Sequence, residues 1–381
     1  MTERWRLIVD DGASASFGLA ADEWLMGHHR GGDAFDATLR LYTYESHCAL
    51  VGRFQDVATE VRLDECDRAG VSVNRRPTGG GAILMGRDQL GVALTFSADR
   101  PGLPGLPAHL YTYLSTGVLD ALESVGLEAR FRPKNDLEVD GRKIAGLGVC
   151  RDASGGMLFH TSLLVDLDVP LMLRLLSIPA EKISDKVLRF VADRTTTVRR
   201  ATGRGVSIDE MRTAVAAGYA RRFGAELVEA PLTADELAAI DERVRTKYDT
   251  TEWIDQRRLE AADGDPRAQS RAALVGACFG PAGAGVGHAM AKTPGGLLRV
   301  YAALSGDTIK SILVTGDFFA DPTTVTRLES RLKWAPAEPA TIQAAVDAEV
   351  GSFGVAHLES AALAAVIVKA VDNAKRARSA G

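Results

Sequence analysis

Residues 134–146 read KNDLEVDGRKIAG and place the Asp-Gly pair at 140–141 between two short segments of alternating polarity. An Asp-Gly pair in this setting is a strong signal for a β-hairpin with a two-residue turn. Such a turn pairs Glu138 with Lys143 and puts Asp136 on the same face. A lysine held beside carboxylates can act as a fixed positive charge where a reacting oxygen gains negative charge, and an ordinary surface ion pair is the alternative.

Upstream of this hairpin, residues 75–81 read RRPTGGG. Glycines let backbone N–H groups approach an anion closely, and an arginine such as Arg76 grips carboxylate or phosphate with paired hydrogen bonds. The segment therefore predicts an anion-binding loop, with a tight turn and a solvated basic flank as the alternative. The chain contains neither GxxxxGK followed by Ser or Thr nor GxGxxG, so a bound nucleotide needs another kind of cradle.

Downstream, residues 159–164 read FHTSLL, a predicted strand in which His160 precedes two hydroxyl residues. A lone histidine is usually structural, but within a site it can bond a carboxylate or help an attacking amine lose its proton. Cys150 lacks a nearby histidine or basic cluster in sequence, so we expect a buried, unreactive thiol. The spacing of the cysteines argues against a zinc site or a disulfide framework. They are Cys48, Cys66, Cys150 and Cys278.

The rest of the chain predicts two folded regions. Hydrophobic spacing predicts a first amphipathic helix around residues 17–25 and a core-facing helix around 108–126. After residue 250 the periodicity is lost in a segment rich in glycine and alanine. A hairpin about 305–307 and a helix capped by Asp321 follow it. We therefore expect a catalytic domain at 1–255, a linker at 256–285 and a small α+β domain at 286–381.

Composition excludes several classes of partner. The 381 residues are 46% hydrophobic and carry a net charge of −5, so no global basic surface for nucleic acid is expected. The apolar run before Lys369 is far shorter than the roughly 20 residues that a bilayer crossing needs, so no membrane association is expected. The N-terminal sequence lacks the pattern of a secretory signal, which predicts a cytoplasmic protein.

Taken in this order, the three motifs resemble those of the lipoate-protein ligase family within the biotin and lipoate ligase fold. The resemblance spans roughly residues 1–250, and residues 288–319 look like the accessory domain of these ligases. It implies an α+β fold class: a biotin/lipoate ligase-like catalytic domain with mixed and antiparallel sheets flanked by helices, and a small α+β C-terminal accessory domain.

The resemblance also implies a reaction in two halves. Lipoate or octanoate attacks ATP to give an acyl adenylate, with Mg²⁺ placed by Asp136, and a lysine of a target protein then takes the acyl group. The implied acceptors are lipoyl domains of acyltransferase subunits and the glycine cleavage H protein. Lys143 matches the family's essential lysine. The implied contacts to substrate or lipoyl-AMP are Arg76, Gly79, Gly80, Gly81, Asn135, Asp136, Gly146 and His160.

Two departures from the family pattern leave alternatives open. The family carries His-Asp shortly after the three glycines, where this chain has residues 82–88, and its His-Gly-Thr is His-Thr-Ser at 160–162. One alternative is an octanoyl or lipoyl transferase that uses a carrier-protein thioester without ATP. Its relatives need a cysteine around residues 130–133, and this chain has none there. A binding protein without turnover is a further alternative, and a biotin ligase is disfavoured by the form of the glycine motif.

Overall fold

The computed structural model describes residues 2–29, 34–104, 107–177, 193–257, 286–350 and 359–379. These residues form two compact units. The first unit comprises Met1–Leu50, Val61–Pro77 and Ile83–Thr250, and the second comprises Val51–Glu60, Thr78–Ala82 and Thr251–Gly381. Most of the predicted linker lies outside the described residues, so the boundaries at 255 and 285 stay predictions.

The first unit is built on an eight-stranded mixed sheet in the order β11-β1-β2-β6-β10-β9-β8-β7. The strand β1 runs parallel to both of its neighbours, and the described pairings on the β6 to β7 side are antiparallel. The strands are β1 (Arg4–Ala13), β2 (Ala37–Tyr44), β6 (Gln89–Ser97), β7 (Ala129–Arg132), β8 (Asp136–Val139), β9 (Arg142–Arg151), β10 (Gly156–Leu164) and β11 (Glu226–Glu229).

A second, three-stranded sheet, which belongs to this unit except for Val51, has the order β4-β3-β5. Its strands are β3 (Cys48–Val51), β4 (Ser72–Arg75) and β5 (Ile83–Met85). The helices of the first unit are α1 (Ala15–Met26), α3 (Leu63–Ala69), α4 (Pro107–Leu114), α5 (Thr116–Ser124), α6 (Val169–Leu175), α7 (Val198–Thr202), α8 (Ile208–Phe223) and α9 (Ala234–Arg243), followed by a π-helical turn at Val244–Tyr248. The helix predicted around 108–126 is thus divided into two helices at Ser115, which is the N-cap residue of α5.

The predicted hairpin is confirmed. Asp140 and Gly141 both have positive φ, 50° and 72°, as a type I′ turn requires. Glu138 pairs with Lys143 as expected, but a β-bulge follows, so that Leu137 pairs with Ala145. A bulge adds one residue to one strand and increases its local twist. The bulge therefore gives Lys143 an orientation that differs from the one it would have in a regular antiparallel ladder.

The two faces of the large sheet differ in polarity. One face packs on α5 and α8 through an apolar core that includes Leu39, Phe159 and Val215. The other face lies against α1, where Arg40 is fully buried and donates to Asp22 Oδ1 at 2.8 Å. Alternation along the strands sets this division, since neighbouring residues point to opposite faces.

The second unit contains a three-stranded antiparallel sheet, β12 (Val286–Thr293), β13 (Gly296–Ser305) and β14 (Thr308–Gly316). Its helices are α2 (Val57–Glu60), α10 (Thr251–Ile254), α11 (Pro322–Leu332), α12 (Pro339–Glu349) and α13 (Ser360–Ser379). The hairpin predicted about residues 305–307 is present, and the Asp321 side chain caps α11 as expected. Within the described residues, no helix has the length and apolar character needed to cross a membrane.

Candidate functional site

The hairpin holds a lysine ammonium in a defined place. Lys143 Nζ lies 2.8 Å from Asp136 Oδ1. A Cβ atom added at Gly146 would lie 3.0 Å from the same Nζ, so the ammonium is over the backbone of Gly146. Asp136 pairs directly with Gly146 across the ladder. The structure thus brings the candidate residues Asp136, Lys143 and Gly146 together, and the bulge after Lys143 makes this possible.

Further charges surround this ion pair. Arg132 also donates to Asp136, and Arg130 Nε donates to Glu138 Oε1 at 2.9 Å. Burial opposes ionisation of the Asp136 carboxyl, but Lys143 and Arg132 outweigh it and hold its pKa below the usual value. Since Asp136 faces two cations, its single negative charge does not fully offset that of Lys143. The cluster retains net positive character beside Gly146.

Hydrogen bonds to and from its backbone fix the strand that carries the ammonium. Asn135 Nδ2 donates to the Leu147 carbonyl at 2.9 Å, and the Leu147 N–H donates to the Asn135 carbonyl at 2.7 Å. Thr161 Oγ1 donates to the Gly146 carbonyl at 2.9 Å. The Asn135 amide is thus used to join two strands, and its predicted contact to a nucleotide stays a prediction.

His160 and Arg76 form a second group in the same unit. His160 pairs with Gly148 on β9, so it lies on the face of Gly146 and about 7 Å along the strand. Burial, reinforced by the charge of Arg76, lowers the pKa of His160 to about 3. Burial also lowers the pKa of Arg76 to about 10, against the opposing influence of Tyr111. His160 is therefore neutral at physiological pH and a weak base, and its role in binding or proton transfer stays a prediction.

The low pKa of His160 has a consequence for acid stability. The unfolded chain takes up a proton on this histidine near pH 6.5, and the folded chain does so only near pH 3. The folded state therefore loses stability as the pH falls from 6.5 toward 3, by at most about 1.4 kcal/mol per pH unit from this group. Urea unfolding between pH 7 and 4 should show a smaller loss of unfolding free energy for His160→Gln than for the parent chain. Equal losses in the two proteins would contradict this effect of His160.

The glycines of the predicted anion loop belong to the second unit. A Cβ at Gly79 would lie 2.2 Å from the Phe318 carbonyl oxygen, and the Gly80 N–H donates to that oxygen at 3.1 Å. A Cβ at Gly52 would lie 2.0 Å from the Gly80 carbonyl oxygen. Close backbone packing within this unit thus requires glycine at 79 and 52. The contact of Gly79, Gly80 and Gly81 with an acyl group stays a prediction.

The described cysteines are buried. Burial raises the pKa of Cys48 to about 12 and that of Cys66 to about 11. It also raises the pKa of Cys150 well above its usual value, and the Cys150 sulfur lies 3.8 Å from the sulfur of Met26. All three are thiols rather than thiolates at neutral pH, as expected for Cys150. Cys278 lies outside the described residues.

Two contributors were not identified from the sequence. Arg132 shares Asp136 with Lys143, although it stands at the end of β7 in a segment without a recognisable motif. Tyr111, on α4, lies close enough to Arg76 to affect its pKa. The four-residue spacing between Arg132 and Asp136 was the available signal for the first contact. Nothing in the local sequence signals the second, which joins residues 35 positions apart.

Comparison with known proteins gives consistent results on family. The model of the lipoyl protein ligase A/B catalytic domain matches residues 14–220. An octanoyltransferase LipM of Brevibacillus brevis is 31% identical over 274 residues, which covers 66% of this chain and 98% of that protein. The LipM of Symbiobacterium thermophilum is 32% identical over 278 residues, with the same coverage.

Solved structures show the same fold. The bi-partite lipoate protein ligase of Thermoplasma acidophilum, described together with its E2 lipoyl domain, is 27% identical with a TM-score of 0.61 and covers 69% of this chain and 100% of its own. P. falciparum LipL1 covers 98% of both chains with a TM-score of 0.68 at 14% identity, which bears on the fold alone. The predicted α+β catalytic fold with a C-terminal accessory domain is confirmed.

The predicted ATP-dependent ligase activity is wrong, because the curated relatives are named octanoyltransferases. The prediction of ATP and Mg²⁺ as cofactors is wrong for the same reason. The local chemistry agrees, since Asp136, the residue assigned to the metal, faces the cations Lys143 and Arg132. In the part of the chain that the structure describes, no three His, Cys, Asp or Glu side chains are grouped to hold a metal ion.

The motifs, the sheet with its charged hairpin and the matched relatives agree on one assignment. The family model alone spans more than half of the chain. The chain belongs to the family of lipoyl protein ligase A/B catalytic domains.

Proposed function

We propose that this chain is an octanoyltransferase, which moves an octanoyl group from a carrier-protein thioester to a lysine amine of a lipoyl domain without ATP. The observation that carries the proposal is the Lys143 ammonium, 2.8 Å from Asp136 and over the side-chain-free backbone of Gly146. The LipM relatives support the octanoyl group and the transfer reaction, since they are named octanoyltransferases.

The chemistry needs a fixed positive charge at one atom. The acceptor amine nitrogen attacks the thioester carbonyl carbon, a C–N bond forms, and the carbonyl oxygen becomes negatively charged. The C–S bond then breaks, the carbonyl re-forms, and the proton lost by the amine ends on the departing sulfur. Lys143 would stabilise the charged oxygen, and its anchorage by Asp136 avoids the cost of orienting a free side chain during the reaction.

A direct transfer accounts for the cysteines better than an acyl-enzyme does. A thiol acts as a nucleophile through its thiolate, and burial raises the pKa values of Cys48, Cys66 and Cys150 to the point where little thiolate exists at neutral pH. The cysteine sought at residues 130–133 is absent from the sequence. The described residues therefore support direct attack of the acceptor lysine on the bound thioester better than they support an acyl-enzyme intermediate.

The acceptor is proposed to be a lipoyl domain of an acyltransferase subunit or the glycine cleavage H protein. The structure from Thermoplasma acidophilum, which is described with its E2 lipoyl domain, supports an acceptor of this class. A place in the cytoplasm fits a reaction between two such proteins and stays a prediction.

Release of the carrier thiol tests the proposal. The octanoyl thioester of an acyl carrier protein is mixed with the chain in nucleotide-free buffer, with and without an unmodified lipoyl domain, and free thiol is followed by a colorimetric reagent. We expect sustained thiol release only when the acceptor is present. Absence of release with both substrates would rule out the transferase. A burst equal to the enzyme concentration without acceptor would instead overturn the direct route in favour of an acyl-enzyme.

A further inference from the structure

Ser162 stands between two glycines on the sheet face that carries Lys143. It pairs with Gly146 on β9 and with Gly91 on β6. Directly paired residues project to the same face of a sheet, with Cβ positions about 5 Å apart. The Ser162 side chain therefore rises from a strip of the sheet whose two flanking positions have no side chain of their own.

Neighbouring groups reach over both glycines. A Cβ at Gly91 would lie 2.4 Å from the ring of Tyr42, and a Cβ at Gly146 would lie 3.0 Å from Lys143 Nζ. The positions on the two sides of Ser162 are thus covered by an aromatic ring, over Gly91, and by the ammonium, over Gly146. On the side of Gly146 away from Ser162, Asp136 on β8 pairs with Gly146.

The hydroxyl itself is in an unusual state. Ser162 Oγ is inaccessible to solvent and has no hydrogen-bond partner among the described residues. The adjacent Thr161, which points to the opposite face, donates its hydroxyl to the Gly146 carbonyl at 2.9 Å. A buried hydroxyl without a partner costs free energy, and native structures generally satisfy such groups. A hydrogen bond from Ser162 Oγ to a ligand bound beside the Lys143 ammonium would remove this cost.

We propose that Ser162 donates a hydrogen bond to the octanoyl carbonyl oxygen while the acceptor amine attacks, so that this oxygen is held between the Ser162 hydroxyl and the Lys143 ammonium. This inference rests on the proposed transferase function and adds a second donor to it. No covalent bond to Ser162 forms or breaks. The hydroxyl keeps its proton, and the hydrogen bond strengthens as the oxygen gains charge, which raises kcat more than it lowers KM.

A second buried hydroxyl provides the matched control. Thr95 Oγ1 on β6 also has no partner among the described residues, and Thr95 lies on the same sheet face. It stands four residues from Gly91, about 13 Å along the strand, which is too far to reach an atom bound at Lys143. If an unpartnered hydroxyl on this face matters only for packing, Thr95→Val and Ser162→Ala should change the rate of octanoyl transfer by similar factors.

Steady-state octanoyl transfer between an octanoyl carrier protein and a lipoyl domain is measured for the parent chain, Ser162→Ala, Ser162→Thr and Thr95→Val, with thermal unfolding of each. We expect Ser162→Ala to lower kcat by about 10- to 100-fold with KM for the octanoyl carrier changed less than about threefold. Ser162→Thr should retain most of the parent's kcat, and Thr95→Val should stay within about twofold of it.

Three results would overturn the proposal: a kcat for Ser162→Ala within about twofold of the parent's, an equal loss in Thr95→Val, or a loss in Ser162→Ala that follows its fall in thermal stability. A parent chain without any octanoyl transfer would instead reject the proposed function. The two failures are therefore distinguishable.

Discussion

Replacement of Lys143 by alanine is expected to lower the rate of octanoyl transfer by about 10²- to 10³-fold and to leave the thermal unfolding temperature nearly unchanged. In the proposed reaction the ammonium is the charge that stabilises the reacting oxygen, and Asp136 holds it in place at 2.8 Å. Its side chain is 32% exposed, so little packing is lost with it. Initial rates at saturating octanoyl carrier and lipoyl domain provide the measurement.

Arg142→Ala provides the control for this variant. Arg142 is the neighbouring cation in the same hairpin and pairs with Val139, so it projects from the opposite face of the ladder. Its removal changes the net charge equally but should leave the rate within about twofold of the parent's, because it does not face the oxygen. An active Lys143→Ala protein, or equal losses in both variants, would show that Lys143 has no specific part in the reaction.

The largest effect on stability is expected from Arg40→Ala. Arg40 is fully buried between the sheet and α1, where it donates to Asp22 at 2.8 Å, to Asp10 at 3.0 Å and to the Gly18 carbonyl at 3.1 Å. Its removal leaves Asp22, which is itself 1% exposed, without its cationic partner. Breaking a buried pair in this way lowers the free energy of unfolding by about 3–5 kcal/mol.

Urea unfolding followed by tryptophan fluorescence measures this loss, since Trp5 lies in the core of the same unit. Arg68→Ala is the matched control. Arg68 makes ion pairs with Asp64 and Glu65, but its side chain is 62% exposed, so the same substitution should leave the unfolding midpoint unchanged. A midpoint for Arg40→Ala that is equal to that of the control would contradict the assignment of Arg40 to a buried ionic core.

The local features of the site could be predicted from the sequence. The Asp140-Gly141 pair determines a turn type, and the turn determines that Glu138 pairs with Lys143. The bulge that follows could not be predicted, because it depends on how Ile144 and Ala145 pack in the core rather than on the turn. The position of the ammonium over Gly146 results from that bulge, so the pattern indicated the residues but not their contact.

Long-range packing accounts for what the sequence did not show about the glycines. The sequence predicts an anion-binding loop at Gly79 and Gly80, because nearby arginines and consecutive glycines suit that chemistry. The structure shows that Gly79 and Gly80 approach the backbone of Phe318, more than 200 positions later. A contact between residues so far apart leaves no periodic signal at either site. Close backbone packing accounts for glycine at these positions, and the local sequence cannot distinguish this requirement from anion binding.

The error over ATP has a chemical reason. Acyl transfer from an adenylate and from a thioester both place negative charge on the same carbonyl oxygen, and a fixed lysine stabilises that charge in either reaction. The hairpin motif is therefore compatible with either acyl donor and does not identify the leaving group. The named relatives supplied that distinction.

The acyl donor is the central claim, and intact mass of the acceptor tests it most directly. An unmodified lipoyl domain is incubated with the full chain and octanoyl carrier protein in nucleotide-free buffer, and in parallel with free octanoate, ATP and Mg²⁺. We predict the mass increase of one octanoyl group in the first reaction, and we predict that Lys143→Ala abolishes it. An acceptor that gains this mass only in the second reaction would contradict it.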